Sequence, residues 1–329
     1  MRMAGGTAGG DSGAIVVYPF AASSSDSGTA PGSQCASTLA GYETMTEPSD
    51  PLADLLGADR LTAVVDIGAN PIDGEPPYKG MLAKRLCTLV GFEPQPDALA
   101  RLNANKSDLE TYLPYAVGDG SRGTLKVCQA PGMTSLFTPE PRVLNLFPNF
   151  AHFGRVVREV EVDTRTLDSI SEVNQLDFLK IDVQGGELAI FRNGKSRLGN
   201  AIALQTEVSL VPLYKDQPVL GDIDLALREL GFIPHMFAHI NKRMILPLHN
   251  AENPYMALNQ LLEADVVYVR DFTHPDRMSS EQLKHLAIIA HHCYASYDLA
   301  ANCIHQLMAR AAQPADAMER YLAIVKGGT

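Results

Sequence analysis

The sequence predicts an α/β protein whose core is a doubly wound, mostly parallel seven-stranded sheet. Short apolar runs alternate with segments of helical spacing from about residue 61 to residue 270, and strands that alternate with helices form parallel sheets. Four of these runs end in an acidic residue, which places carboxylates at the edge where such sheets bind ligands. The 329 residues allow one large domain with a further segment at each end.

Each element of the sheet follows from a local pattern. Residues 96–105 and 219–230 have helical spacing, and Gly231 provides a stop for the second helix. Residues 125–127 and 155–162 have the alternation of a hairpin at the sheet edge. The seven predicted strands of the main sheet are residues 61–66, 88–93, 112–117, 177–182, 201–207, 232–237 and 265–270.

The two ends of the chain differ from its middle. Residues 1–48 are rich in Gly, Ala, Ser and Thr, so they have too little apolar surface to offset the entropy of ordering, and we expect a disordered tail. Residues 49–275 form the predicted domain. Residues 276–329 are predicted to be a helical extension that packs on the domain or joins two copies of the chain. Its three helices are expected at residues 279–296, 298–312 and 318–325.

Charge and cysteine content exclude several classes of protein. The formal net charge of −11 argues against binding to nucleic acid, which needs a basic face, and against electrostatic docking on anionic membranes. No apolar run approaches the ~18 residues of a membrane span. The five cysteines have no paired spacing, which favours free thiols in a reducing cytoplasm.

The first two acidic strand ends indicate a nucleoside site. Asp66 is followed by a turn that contains Gly68, where a backbone can approach a ligand closely. Glu93 ends the next strand, a position suited to accepting hydrogen bonds from ribose hydroxyls. The turn lacks the GxGxxG pattern, and Asp73 would lie badly beside a pyrophosphate. A phosphate-free nucleoside such as S-adenosylmethionine therefore suits the site better than a dinucleotide.

The motifs resemble those of a known family, the FkbM family of S-adenosylmethionine-dependent methyltransferases, over residues 61–272. The resemblance implies a Rossmann-like methyltransferase sheet. One departure is the insertion of residues 71–77 (PIDGEPP) where the family has a small residue and an early glycine. The motifs are VVDIGAN (64–70), GFEPQPDAL (91–99), AVGD (116–119), TSL (134–136), TLDSI (166–170), LKIDVQGGEL (179–188), QTEVSLVPLYKDQP (205–218) and EADVVYVRD (263–271).

The resemblance also implies which residues bind the cofactor. It places Glu93 on the ribose, with Pro94 and the pair Ala116 and Val117 beside the adenine. The complete predicted set is Asp66, Gly68, Ala69, Asn70, Glu93, Pro94, Ala116, Val117, Ser135 and Asp182.

The last two acidic strand ends are predicted to lie at the site of methyl transfer. Asp182 ends the fourth strand and Glu207 the fifth, so both side chains are expected where an acceptor oxygen meets the methyl group. Two alternatives stay open for this pair. They either hold one Mg²⁺ together or orient the hydroxyl without metal. His235 and His239 follow at the sixth strand, and His239 is a further candidate base.

These observations predict a cytoplasmic O-methyltransferase. Its expected partner is a hydroxyl acceptor, either a sugar, a glycan or another secondary metabolite, and neither nucleic acid nor a membrane. Two other classes remain open. An NAD-dependent oxidoreductase lacks support because the phosphate loop is missing, and a catalytically inactive binding protein is disfavoured by the intact Asp66, Gly68, Glu93 and Asp182.

Overall fold

The computed structural model describes residues 50–70, 74–250, 252–253 and 256–327. The predicted N-terminal tail, residues 1–48, and residues 71–73 of the inserted segment after Asn70 lie outside the described residues.

The strands form two sheets, one of seven strands and one of three. In chain order they are β1 (Thr62–Ile67), β2 (Cys87–Phe92), β3 (Glu110–Leu113), β4 (Ala116–Val117), β5 (Arg122–Cys128), β6 (Val156–Arg165), β7 (Phe178–Ile181), β8 (Ala203–Ser209), β9 (Phe232–Arg243) and β10 (Gln260–Arg270).

Helices connect most of these strands and follow the last one. In chain order they are α1 (Pro51–Leu56), α2 (Lys79–Ala83), α3 (Pro96–Asn105), α4 (Pro141–Leu144), α5 (Phe150–Phe153), α6 (Glu187–Arg192), α7 (Lys195–Leu198), α8 (Leu220–Glu229), α9 (Ser280–Tyr294), α10 (Tyr297–Ala309) and α11 (Ala317–Gly327). Short 3-10 turns occur at Pro131–Met133, Leu167–Ser169 and Pro275–Arg277.

The main sheet has the predicted doubly wound, mostly parallel architecture. Its seven strands lie in the order β3-β2-β1-β7-β8-β10-β9. Strands β1, β2, β3, β7 and β8 pair in parallel, while β10 runs antiparallel between β8 and β9. The strand order reverses between β1 and β7, and the crevice beyond the carboxyl ends of these two strands is where such sheets bind ligands.

The bounds of several predicted strands and the predicted place of the hairpin are wrong. The run 112–117 is divided into β3 and β4 because Pro114 lacks an N–H for the ladder, and β4 pairs with β6 instead. The hairpin β5–β6 therefore belongs to a separate three-stranded sheet and not to the edge of the main one. Antiparallel pairing with β10 extends β8 to Ser209, beyond the predicted end at residue 207, and β9 to Arg243, beyond the predicted end at residue 237. Glu207 and His239 consequently lie inside their strands.

The C-terminal helices complete the core of the domain. Leu286 and Ile289 of α9 and Leu307 of α10 are fully buried in a cluster that includes Val64 of β1 and Phe178 of β7. The opposite face of the sheet packs against α6 and α8 in a second cluster. The helical extension thus packs on the sheet, and its role in joining two copies stays a prediction. Within the described part of the chain, no helix has the length and apolar character needed to cross a membrane.

Candidate active site

A cavity of about 360 Å³ lies at the carboxyl edge of β1, β2 and β7. The second sheet and the segment 131–137 close its far side. Most of the residues predicted to bind a cofactor contribute to its wall. Those that line it are Gly68, Asn70, Glu93, Pro94, Ala116, Val117 and Asp182.

Gly68 directly follows β1 and lies against the ends of the two neighbouring strands, β2 and β7. Its backbone has a φ of +85°, and a Cβ atom at this position would overlap the main-chain oxygen of Asp182. Its N–H donates to the main-chain oxygen of Phe92 (3.1 Å), as does the N–H of Ala69 (3.0 Å). The loop after β1 therefore requires glycine on both conformational and steric grounds, and it presents bare backbone to the cavity.

Glu93 is a buried carboxylate with one oxygen left for a ligand. The residue is 3% exposed, and its Oε1 accepts from the N–H of Gln95 (2.7 Å). No hydrogen bond reaches Oε2 from any residue that the structure describes. Burial raises the pKa of Glu93, although the bond from Gln95 partly offsets this. Two hydroxyl groups of a ribose would satisfy such a carboxylate.

Asp66 supports the loop from below and does not line the cavity. Its Oδ2 accepts from the hydroxyl of Tyr78 (2.5 Å), and its Oδ1 lies 3.5 Å from the ammonium of Lys180. Burial raises the pKa of Asp66, while the charge of Lys180 acts in the opposite direction. Lys180 also donates to the main-chain oxygen of Gly68 (3.4 Å). This group of three side chains therefore fixes the shape of the loop.

Ser135 lies behind the cavity wall. Its hydroxyl donates to the main-chain oxygen of Gln184 (2.6 Å) and accepts from the N–H of Phe137 (3.0 Å). Because Gln184 and Phe137 line the cavity, Ser135 acts on the site through them. Ser135 is not among the residues that line the cavity, and its direct contact with a cofactor stays a prediction.

Asp182 and Glu207 are brought together as the sequence predicts. The residue pair that precedes them, Ile181 and Thr206, is in register across β7 and β8. The side-chain amide of Gln184 donates to both carboxylates, at 3.0 Å to Asp182 Oδ1 and 2.9 Å to Glu207 Oε2. Burial and the neighbouring charge of Asp182 raise the pKa of Glu207 well above its usual range. Asp182 lines the cavity, whereas Glu207 is not among its lining residues.

The two histidine candidates lie away from the cavity. His239 is exposed on β9, and its Nε2 is 3.1 Å from Asn241 Oδ1. His235 Nε2 is 2.8 Å from the hydroxyl of Ser296 at the start of α10. Neither histidine contributes to the cavity wall.

A metal site is not assembled from the predicted pair. Among the described residues, no group of three or more His, Cys, Asp or Glu side chains is placed to hold a metal ion. The amide of Gln184 instead lies between Asp182 and Glu207 and supplies a donor to each. Its nitrogen cannot serve as a metal ligand, since its protons point toward the two carboxylates.

Several residues of the site were not predicted. Gln184 lies inside a quoted motif, and its φ of +55° marks an unusual backbone that the sequence does not reveal. Tyr214, whose hydroxyl is 3.4 Å from Gln184 Oε1, belongs to another motif 30 residues away. Asp119 lines the cavity and holds the turn to Ser121 by accepting from its N–H (2.8 Å). Its place in the AVGD motif was the available signal.

Comparison with known proteins places the chain in a family. The family model described as the methyltransferase FkbM domain matches residues 66–234, which is just over half of the 329 residues. A similar curated protein is the 2-O-methyltransferase NoeI of Sinorhizobium fredii (strain NBRC 101917 / NGR234), 27% identical over 178 residues that cover 49% of this chain and 70% of that protein.

Solved structures of methyltransferases are more distant. Magnesium protoporphyrin IX methyltransferase from Synechocystis PCC 6803 is 11% identical, with a TM-score of 0.34 over 67% of this chain and 76% of that one. Sp1610 of Streptococcus pneumoniae, a putative tRNA (m1A22) methyltransferase, is 12% identical, with a TM-score of 0.32 over 85% and 96% of the two chains. The family assignment rests on the matched domain together with the motifs: the chain belongs to the FkbM methyltransferase family.

Proposed function

We propose that the protein transfers the methyl group of S-adenosylmethionine to a hydroxyl oxygen of a sugar, a glycan or another secondary metabolite. The observation that carries this proposal is a single cavity whose wall includes Gly68, Glu93 and Asp182. The name of the similar 2-O-methyltransferase supports oxygen as the acceptor atom and a 2-hydroxyl as the first position to test.

The cofactor half of the cavity suits an adenosine without phosphates. Glu93 offers one free carboxylate oxygen, and the turn at Gly68 offers close backbone approach. The cavity wall also contains Asp119 and Asp182, whose negative charges would repel a pyrophosphate and attract a cation. When bound, S-adenosylmethionine supplies an electrophilic methyl group.

Asp182 is the residue that would receive the acceptor. Its Oδ1 is held by Gln184, whereas Oδ2 takes part in no hydrogen bond with the described residues. An acceptor hydroxyl bonded to Oδ2 would have its oxygen oriented and its proton held by a carboxylate. Orientation of the two reacting atoms is the larger contribution, because a carboxylate is too weak a base to deprotonate a free alcohol fully.

The reaction is proposed to proceed without a metal ion. The two carboxylates that a metal would need already share one hydrogen-bond donor, the side-chain amide of Gln184, which occupies the position between their bonded oxygens. Transfer should therefore be unaffected by EDTA. If EDTA abolishes activity and Mg²⁺ restores it, the metal-dependent alternative would be supported instead.

The test begins with calorimetric titration of S-adenosylmethionine into the full chain. Methyl transfer is then measured with labelled S-adenosylmethionine and a panel of methyl glycosides that carry a free 2-hydroxyl. The variant Asp182→Asn keeps the size of the side chain and removes its charge, so it should bind S-adenosylmethionine normally and lose about two to four decades of turnover. The matched control is Asp316→Asn, an exposed position near the C-terminus.

The results separate the three classes of function. Binding of S-adenosylmethionine without transfer to any acceptor would favour the inactive binding protein, and binding of NAD in its place would favour the oxidoreductase. Near-normal turnover by Asp182→Asn would remove this residue from the mechanism. Action in the cytoplasm is part of the proposal, and the four cysteines that the structure describes are all free thiols, as a reducing compartment favours.

A further inference from the structure

We infer that Gln184 is a positioning residue for methyl transfer, holding Asp182 and Glu207 in one fixed arrangement through its side-chain amide. This inference rests on the proposed function. Gln184 Nε2 carries two protons, and its two acceptors are Asp182 Oδ1 at 3.0 Å and Glu207 Oε2 at 2.9 Å. Each proton of the amide is thus matched to one carboxylate.

The orientation of this amide is set from its other end. Tyr214 presents its hydroxyl proton within reach of Gln184 Oε1 (3.4 Å) and of the main-chain oxygen of Met133 (3.0 Å). Tyr214 is 2% exposed, so its ring is held by packing. An ionised carboxylate can only accept hydrogen bonds, so an ionised Asp182 requires the amide to turn Nε2 toward it and Oε1 toward the tyrosine.

The backbone of Gln184 is held in an unfavourable conformation. Its φ of +55° lies in the left-handed region, which is unfavourable for a residue with a side chain. Ser135 fixes this conformation by donating to the main-chain oxygen of Gln184 (2.6 Å), and Gly185 follows with a φ of +106°. A glycine at position 184 would avoid the strain, so the side chain of Gln184 must contribute something that glycine lacks.

The arrangement has a direct consequence for Asp182. Asp182 and Glu207 are two acidic side chains at the same sheet edge, with Glu263 close enough to raise the pKa of Glu207 further. The shared amide donor offsets their mutual repulsion and ties down only Asp182 Oδ1. The other oxygen, Oδ2, makes no hydrogen bond with the described residues and would be available to an acceptor in the cavity. Without the amide, we expect the carboxylate of Asp182 to rotate away from Glu207, so that it no longer orients the acceptor hydroxyl.

The kinetic test uses Gln184→Gly, which removes the amide and suits the left-handed backbone, together with Gln184→Ala. The control is Gln175→Ala, an exposed glutamine that makes no hydrogen bond within the described part of the chain. We expect Gln184→Gly to bind S-adenosylmethionine within two-fold of the wild type while kcat with the responsive methyl glycoside falls about 100-fold, the usual effect of a reacting group misplaced by about 1 Å. The KM for the glycoside should change far less than kcat.

A double variant distinguishes positioning from a general structural role. If Gln184 acts through Asp182, adding Gln184→Gly to Asp182→Asn should lower kcat by less than about three-fold, because the loss is already present. A full additional 100-fold loss would show that Gln184 acts by another route and overturn the inference. Unchanged kcat in Gln184→Gly would overturn it as well.

A spectroscopic measurement covers the case in which no glycoside of the panel reacts. The side-chain amide protons of Gln184 should give a shifted, slowly exchanging NMR signal that Gln184→Gly removes. That signal should move in both Asp182→Asn and Glu207→Gln. Lack of turnover by a wild type with this signal refutes the proposed acceptor class alone. A signal that moves in neither variant refutes the shared hydrogen bonds and the inference with them.

Discussion

The affinity for S-adenosylmethionine should depend strongly on Glu93. Its carboxylate is 3% exposed, and Oε2 is the oxygen without a partner among the described residues. A hydrogen bond to an ionised group contributes about 1.5–3 kcal/mol. The variant Glu93→Ala should therefore weaken binding by about 10-fold to 150-fold, since each 1.4 kcal/mol is worth about ten-fold.

A second substitution separates the ligand contact from the support of the loop. Glu93→Ala also leaves the N–H of Gln95 without its acceptor. Glu93→Gln retains an oxygen for Gln95 and still offers one group to a ribose, but it lacks the charge. Its affinity should fall between those of the wild type and the alanine variant.

The assay is calorimetric titration at constant pH and salt, with unfolding curves to show that each variant is folded. Glu229→Ala is the matched control, because this glutamate is exposed at the last residue of α8 and outside the cavity wall. Wild-type affinity in a folded Glu93→Ala protein would refute the ribose contact. Equal losses in the control would show that the effect is a general one of net charge.

Three further predictions concern stability. Gly68→Ala places a Cβ atom against the main-chain oxygen of Asp182 at a φ of +85°. It should lower the free energy of unfolding by more than about 2 kcal/mol in denaturant titrations. The control Gly221→Ala, where a Cβ meets no atom within 4 Å, should be nearly neutral. Burial raises the pKa of Glu187 to about 7, so the native state holds its proton more tightly than the unfolded state, and stability is lost as the pH rises from about 4.5 through about 7. The melting temperature of Glu187→Gln should accordingly fall less than that of the wild type between pH 5 and pH 8. Deletion of residues 1–45 should leave both the melting temperature and the affinity for S-adenosylmethionine unchanged, and a large drop in melting temperature would show that this low-complexity segment contributes to the fold.

Those parts of the fold that depend on local pattern could be predicted from the sequence. The buried strand β7 (Phe178–Ile181) and the helix α3 (Pro96–Asn105) follow from apolar runs and helical spacing. The placement of Asp66, Glu93 and Asp182 at one edge of the sheet was predictable because parallel strands end at the same edge. The Gly68 turn itself needed only the knowledge that glycine tolerates positive φ.

Those parts that depend on pairing between distant segments could not be predicted. The hydrophobic pattern of β9 ends before its exposed second half, and only its ladder with β10 carries the strand to Arg243. Ser135 and Tyr214 reach Gln184 from 49 and 30 residues away. No periodicity in the sequence reports such contacts, so Gln184 and Tyr214 were missed, and Ser135 was predicted as a cofactor contact without its bond to Gln184.

The distribution of charge at the carboxyl edge connects the stability of the fold with its proposed chemistry. Burial raises the pKa of Asp66, Glu93, Glu187, Glu207 and Glu263, so each of these groups is less favourable in the folded chain when ionised. Lys180 partly offsets this rise for Asp66 and Arg243 does so for Glu263, whereas four neighbouring carboxylates raise the pKa of Glu207 further. A chain selected for stability alone would have replaced such groups with apolar ones. These buried carboxyl groups are expected at a site that must attract a positively charged ligand and orient a hydroxyl group. Methyl transfer from a sulfonium to an oxygen requires both.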